Sequence, residues 1–378
     1  MINIKGIYSE AIVFTCANPE HGLDPYAAAQ LRNLCDNPAS EGCRIRVMPD
    51  VHPGKVCTVG LTMTVGKRVI PHIVGIDIGC GMTLARVKAK NIEFQKLDKV
   101  IRERIPSGFA VRKKTYHTAE EFDFSRLKCV SHINKNKALL SLGTLGGGNH
   151  FIEIDRDGEG NTYAVIHSGS RHLGKEVTDY YVDAGAKLLK EKGEEIPYPL
   201  TYLEDSLKED YLHDLNIVQE YAEQNRTIML EELADGMKWK IQDCCSCIHN
   251  YIDFTRGVPI LRKGAISAAK GENVIIPINM RDGIILGTGL GNPEWNESAP
   301  HGSGRVAKRE DILSSHTVSE FKACMKGIYS PSVGKGTLDE APFAYRGIDE
   351  IYGAIRDTVE INKVITPVYN FKADSTGE

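Results

Sequence analysis

Gly75-Ile76-Asp77-Ile78-Gly79-Cys80-Gly81 is the stretch on which the reading of this chain turns. A carboxylate and a thiol stand three positions apart among glycines, and glycine allows the unusual φ/ψ values and close backbone approach that a tight loop around a cation needs. A thiolate can also bridge two divalent ions, which suits Cys80 better than a purely structural task. An isolated D-x-x-C is more often a turn with a buried cysteine, so the reading depends on partners elsewhere. The chain supplies them. Gly146-Gly147-Gly148-Asn149-His150, His167-Ser168-Gly169-Ser170-Arg171, His249-Asn250 and His301-Gly302-Ser303-Gly304-Arg305 set histidines in glycine-rich or polar contexts. A mixed N/O/S donor set of this kind suits Mn²⁺, Zn²⁺ or Fe²⁺ rather than Mg²⁺.

Bulk properties narrow the class. The composition, 42% hydrophobic and 25% charged, is that of a globular protein. No apolar run approaches the ~18 residues of a membrane span, and Met1-Ile2-Asn3-Ile4-Lys5 does not read as a signal peptide. The 10 cysteines lack regular spacing and point to reduced thiols in a cytoplasmic setting. A net charge of −4 and a pI near 6.3 announce no general polyanion binder, so any such site must be a local basic groove. At 378 residues two domains are the default, but without repeat, low-complexity tract or linker we expect a single catalytic domain over 1–378.

Outward from the central loop, Ala11–Phe14 and Val59–Val65 have strand character, and Pro25–Cys35 reads as a proline-started helix. Met48-Pro49-Asp50-Val51-His52-Pro53-Gly54 reads as an irregular loop because of its prolines. Helices are expected over Ile92–Ile105 and Leu203–Lys240. The basic stretch 107–140, with Arg112, Lys113, Lys114, Lys135 and Lys137, reads chiefly as solvated surface. Phe151–Ile154 and Tyr163–Ile166 read as a hairpin whose linker, Asp155–Asn161, has the wrong spacing for a calcium loop. Centred between Gly158 and Glu159, that hairpin would set His150 opposite His167, with Cβ atoms about 5 Å apart. Val274–Met280, Gly283–Gly287 and the tail Pro367–Lys372 are strand-like, and the last six residues are expected to fray. Cys244-Cys245-x-Cys247-x-His249 is too crowded for paired zinc spacing, which leaves His249 as its one expected ligand. On a helix, Cys245 and His249 would share a face.

Assembled, these pieces resemble the RtcB RNA ligases. The matching segments are MPDVHPG (48–54), GIDIGCG (75–81), GTLGGGNHFIEI (143–154), IHSGSRHLG (166–174), HN (249–250), RKGA (262–265), HGSGR (301–305), AYRGIDE (344–350) and PVYNFK (367–372). The resemblance implies an α+β, RtcB-like fold in which mixed β-sheets form a central metal and nucleotide cleft with flanking helices. It implies a GTP- and Mn²⁺-dependent ligase joining an RNA 3′-phosphate, or 2′,3′-cyclic phosphate, to a 5′-hydroxyl in RNA repair or tRNA splicing, with a possible protein partner. Carried over by motif, Asp77, Cys80, His150, His167 and His249 would hold two manganese ions and His301 would take GMP from GTP. Glu153, Tyr345 and Lys372 would read guanine, and Asn149 and Asn250 would contact phosphate or ribose. Asp50, Arg171, Arg305 and Arg309 lie in or beside the motifs and are suited to metal-linked water or RNA phosphates. Two departures stand out: Pro277-Ile278-Asn279-Met280-Arg281 replaces a glycine-serine-methionine turn, and Pro300 precedes His301 where cysteine is common. The chain is also shorter than the tRNA-splicing members. The alternative from the same residues is a dinuclear phosphoesterase without a covalent step, and a non-catalytic RNA-end binder is a third.

Overall fold

The computed structural model describes residues 1–15, 22–89, 91–255 and 257–373. In chain order the strands are β1 (Ile2–Lys5), β2 (Glu10–Val13), β3 (Ile45–His52), β4 (Val59–Thr64), β5 (Gly81–Lys88), β6 (Phe151–Arg156), β7 (Thr162–Ser168), β8 (Lys240–Ile248), β9 (Asn250–Asp253), β10 (Ile260–Lys263), β11 (Ala265–Ser267), β12 (Asn273–Asn279), β13 (Gly283–Gly289), β14 (Ser298–Pro300) and β15 (Val359–Lys372). The helices are α1 (Pro25–Cys35), α2 (Pro71–Val74), α3 (Phe94–Arg104), α4 (Lys135–Ser141), α5 (Arg171–Glu191), α6 (Asp205–Met237), α7 (Arg309–Ser315), α8 (Val318–Cys324) and α9 (Ile348–Ile355). The α+β class expected from the sequence is the one observed.

An antiparallel sheet runs β12-β13-β15-β6-β7-β5-β8, and a mixed sheet runs β1-β2-β3-β4-β10-β9 with only β2 and β3 parallel. Alternation along β6 and β15 decides what the first sheet offers on each face. Ile152, Ile154 and Phe371 point into a core shared with α3 and α6, leaving Phe151, Glu153, Asn370 and Lys372 on the opposite face. The chain passes between the two sheets at His249, the single residue separating β8 from β9.

Three local expectations need correction. Met48–His52 is part of β3, not a loop. Its ladder to β4 is interrupted between Val47 and His52, and Pro49 sits in that gap, where a missing N–H forfeits no ladder bond. The β6–β7 register sets Phe151 opposite His167, with His150 one position beyond the strand. The turn is centred on Glu159, and a slip of one residue changes every pairing. The Cys244–Cys247 run belongs to β8, so the helical-face argument for Cys245 and His249 does not apply. Within 107–140 the lysines named above are exposed, whereas Arg112 pairs with Glu232 at 3.0 Å and donates to the Leu142 and Gly143 carbonyls. Of the last six residues, 374–378 lie outside the described ones.

Candidate metal centre and adjoining cleft

Register draws the distant motifs together. Lys372, Phe151, His167, Met82 and Cys247 form one row across β15, β6, β7, β5 and β8. In an antiparallel array the starts of β5 and β6 share an end with the finishes of β7, β8 and β15. Cys80, His150 and His249 therefore sit one or two positions past the same row, and the His249 N–H donates to the Cys80 carbonyl at 2.8 Å.

The side chains there converge on their ligand atoms. Cys80 Sγ lies 3.4 Å from His150 Nε2 and 3.3 Å from His167 Nε2. His150 Nε2 is 3.0 Å from Asp77 Oδ2, and His167 Nε2 is 3.3 Å from His249 Nε2. Backbone carbonyls fix two tautomers: His150 Nδ1 faces the Leu145 carbonyl at 2.8 Å, and His167 Nδ1 faces the Asn149 carbonyl at 3.2 Å. A carbonyl only accepts, so each Nδ1 carries the hydrogen and each Nε2 presents its lone pair inward.

Acceptor then faces acceptor, which a cation among them turns into attraction. Ligands on ~2.1 Å bonds to one ion lie about 3.0–3.4 Å from one another, which matches these contacts. Cys80, His150 and His167 meet the requirement as a set, their ligand atoms all within 4.8 Å of each other. Asp77 Oδ1 is also buried without a hydrogen-bond partner. The residues present fit a metal.

Electrostatics agree. Burial would raise the Asp77 carboxyl, but His150 and Arg171 hold it well below the usual carboxylate range. Burial and then the Asp77 charge push the Cys80 thiol up, so its ionisation waits for a cation to take the proton's place. Burial, with His150 beside His167 and His301 beside His249, keeps both rings neutral and available as ligands.

Gly169 makes room for Asp77. A Cβ there would stand 2.3 Å from Asp77 Oδ1, while the Gly169 backbone itself is not in the left-handed region. Gly169→Ala should therefore fold, displace the carboxylate, and weaken divalent-metal binding by roughly 10–100-fold. The check is the metal-induced rise in thermal midpoint, which should shrink while the metal-free midpoint stays close to the parent's.

Behind the cluster stands α6. Asn225 Oδ1 accepts from the Gly143 and Thr144 amides at 2.7 and 3.0 Å, and its Nδ2 donates to the Gly169 carbonyl at 3.0 Å. Arg226, fully buried, donates to the Gly79 carbonyl at 2.7 Å and the Ser168 carbonyl at 3.0 Å. Two neighbours on one helix thus tie the cysteine loop to both histidine segments. Neither was singled out from the sequence. The available signal was a polar residue, Asn225, at helical spacing between apolar Ala222 and Met229.

Beyond the metal cluster lies a cleft of about 800 Å³, part of it open to solvent, whose lining includes His167, His249, His301, Glu153, Tyr345 and Lys372. Asn149 and Pro277–Met280 also line it. Asn250 does not, because it sits behind the cluster with Nδ2 on the Asp77 carbonyl at 3.3 Å and Oδ1 accepting from the Gly264 amide at 3.0 Å. His301 follows β14, which β11 holds through Ala265 and Pro300. Gly264, at φ +59°, turns the chain into β11 where a Cβ would meet Val59 at 2.1 Å and the His301 ring at 3.3 Å.

Asp50, fully buried, sits 2.7 Å from His301 Nδ1, and the rings of His301 and His249 are 4.8 Å apart. The interruption in β3 delivers Asp50 to this position. Arg171 brings Nη1 to 3.4 Å from His150 Nδ1.

Across the cleft, Glu340 receives the Tyr345 hydroxyl at 2.6 Å and Lys372 Nζ at 2.8 Å, with Arg309 at 2.6 Å and Arg305 at 3.5 Å. Burial works against its charge, yet Lys372 and Arg309 hold it at about 2. Glu340 carries no motif signal and was missed. Glu153 accepts from the Asn370 amide. Burial raises the Glu153 and Asp155 carboxyls together, and each carboxyl works on the other, so this pair retains a proton.

These features define an α+β protein with a candidate metal centre opening onto a polar, histidine-bearing cleft. The chain belongs to the RtcB family: the family model described as "tRNA-splicing ligase RtcB" matches residues 30–124 and 112–373. It is 31% identical to the RNA-splicing ligase RtcB of Escherichia coli K12, over 84% of this chain and 87% of that protein. Identity is 26% to the tRNA-splicing ligase RtcB of Methanococcus maripaludis, over 82% and 84%, and 24% to that of Pyrobaculum aerophilum, over 84% and 85%. Among the described residues, no helix is long and apolar enough to cross a membrane.

Proposed function

We propose that this protein is an RNA ligase acting through a guanylylated histidine. The observation that carries the reading is His301, aimed by buried Asp50 and standing 4.8 Å, ring to ring, from the candidate ligand His249. Asp50 accepts from Nδ1–H, which leaves the lone pair on Nε2 to act as the nucleophile. His301 Nε2 attacks the α-phosphorus of GTP, a P–N bond forms, and the bond to pyrophosphate breaks. GMP then passes to the RNA 3′-phosphate, and the 5′-hydroxyl attacks that activated end and expels GMP.

Asp77, Cys80, His150, His167 and His249 would hold two Mn²⁺ ions with Cys80 between them. Bound there, the metals would neutralise phosphate charge and favour in-line displacement. Glu153 would accept from the guanine N1–H and N2–H groups, Tyr345 would supply a ring face, and Lys372 would donate to the base. Asn149, on the cleft wall, would contact phosphate or ribose, and Asn250 would act from behind by holding the Asp77 loop. The whole chain would serve as one catalytic domain in the cytoplasm, on RNA ends left by splicing or damage, with a protein partner possible.

The test uses GTP labelled at the α-phosphate, with Mn²⁺ and purified protein. The expected result is acid-labile label on the protein, discharged when RNA bearing 3′-phosphate and 5′-hydroxyl ends is added and joined. Phosphoester hydrolysis without protein label would overturn the covalent step and leave a dinuclear phosphoesterase.

A further inference from the structure

Phe109 is the most exposed large apolar side chain among the described residues, at 93%. Scattered apolar residues on a surface need no explanation, but the position of this one does. Its segment is laced to the glycine loop that leads to His150. The Leu145 amide donates to the Pro106 carbonyl and the Gly108 amide to the Gly146 carbonyl, each at 2.9 Å, and Ser107 and Gly146 form a parallel bridge. The Leu145 carbonyl in turn fixes the His150 tautomer. A Cβ on Gly147 would meet Gly108 Cα at 3.7 Å, and one on Gly148 would meet nothing. An open rim therefore runs from Phe109 past Gly147 and Gly148 to Asn149, which lines the cleft. At no more than ~3.8 Å per residue, that rim places Phe109 on the order of 15 Å from Asn149.

Charge along the rim suits a polyanion. Arg171, half-buried, lies against Gly146, its guanidinium 2.0–2.2 Å from where a Cβ would be, with Nε itself buried and without a hydrogen-bond partner. Lys113 and Lys114, both exposed, follow Phe109 on the same segment. Alone the lysines would be ordinary solvated surface. Together with a bare aromatic ring on the same segment, they offer the kind of pairing that binds single strands, where cations track the backbone and a ring carries a base.

We propose that Phe109 is a stacking platform for an unpaired base of the RNA, a few nucleotides from the end that reacts, with Arg171, Lys113 and Lys114 on the adjoining phosphates. This rests on the ligase reading given above. Stacking tolerates any base, so the rim would position the strand without selecting its sequence.

The test compares Phe109→Ala and Phe109→Trp with the parent in three assays: label transfer from GTP without RNA, joining of 3′-phosphate RNA, and direct RNA binding by fluorescence anisotropy. Phe109→Ala should weaken RNA binding and raise the joining KM by roughly 5–150-fold, the range of one lost base stack, with kcat little changed. Label transfer, a step without RNA, should be untouched, and Phe109→Trp should restore binding. An abasic site at the stacked position should cost the parent the same factor and cost Phe109→Ala nothing more. Phe109→Ala with parental KM and Kd would overturn the platform and leave the ligase reading standing. A parent that neither labels nor joins would end the ligase reading, and anisotropy would then decide the stacking contact alone.

Discussion

His301→Ala should take up no label from GTP, and Asp50→Asn should slow labelling by roughly 10³–10⁴-fold, though it changes one atom outside the ring. The second loss is the more informative. Asp50 Oδ2 lies 2.7 Å from His301 Nδ1, and as a buried carboxylate it can only accept. That contact keeps the hydrogen on Nδ1 and the lone pair on Nε2. An asparagine can turn its amide nitrogen toward Nδ1, moving the hydrogen to Nε2 and leaving no nucleophile. Single-turnover labelling measures the effect, and the thermal midpoints show whether either variant is merely unfolded. Parental labelling by folded Asp50→Asn would remove the tautomer argument; labelling of His301→Ala would place the nucleophile elsewhere.

Residue type and glycine context exposed the inner part of this site because both express local chemistry. Asp77, Cys80, His150, His167 and His249 were picked out by donor type and setting, and four chain segments bring them within a few ångströms. The means of assembly was less legible. The sequence reading put His150 opposite His167 on paired strands, whereas Phe151 holds that place and His150 is fixed by the Leu145 carbonyl. The two rings still come within 5.1 Å, so closeness was right and its cause was not. A turn centre half a residue away is invisible to composition but slips every pairing by one.

Prolines misled at β3, where the ladder tolerates Pro49 in a gap that only the folded sheet creates. Asn225, Arg226 and Glu340 were missed for a different reason. Asn225 and Arg226 act through partners far away in the chain, and Glu340 gathers the distant Arg309 and Lys372 as well as the nearby Tyr345, so what each does depends on contacts that only the fold creates. Secondary structure was clearest where periodicity ran longest, as in α6, and in α1, which covers Pro25–Cys35 as expected.

Cys80→Ala should abolish both tight metal binding and labelling, and Cys80→Ser should rescue neither. Sγ contacts the Nε2 atoms of both His150 and His167, at 3.4 and 3.3 Å, and the residue is only 3% exposed. Alanine leaves those two lone pairs facing an apolar gap, with Asp77 the remaining anion of the proposed ligand set. Serine keeps the volume and a polar atom but supplies no thiolate, so it separates charge from packing. Losing a direct ligand that serves two ions should exceed the roughly 10–100-fold that loss of a supporting group costs. Equilibrium dialysis with Mn²⁺ gives the stoichiometry: about two ions per parent chain are expected, and fewer than one for either variant. A variant that keeps one tightly bound ion would show Cys80 to be a ligand of one metal only, and undiminished binding by Cys80→Ala would move the metal pair away from this cysteine altogether.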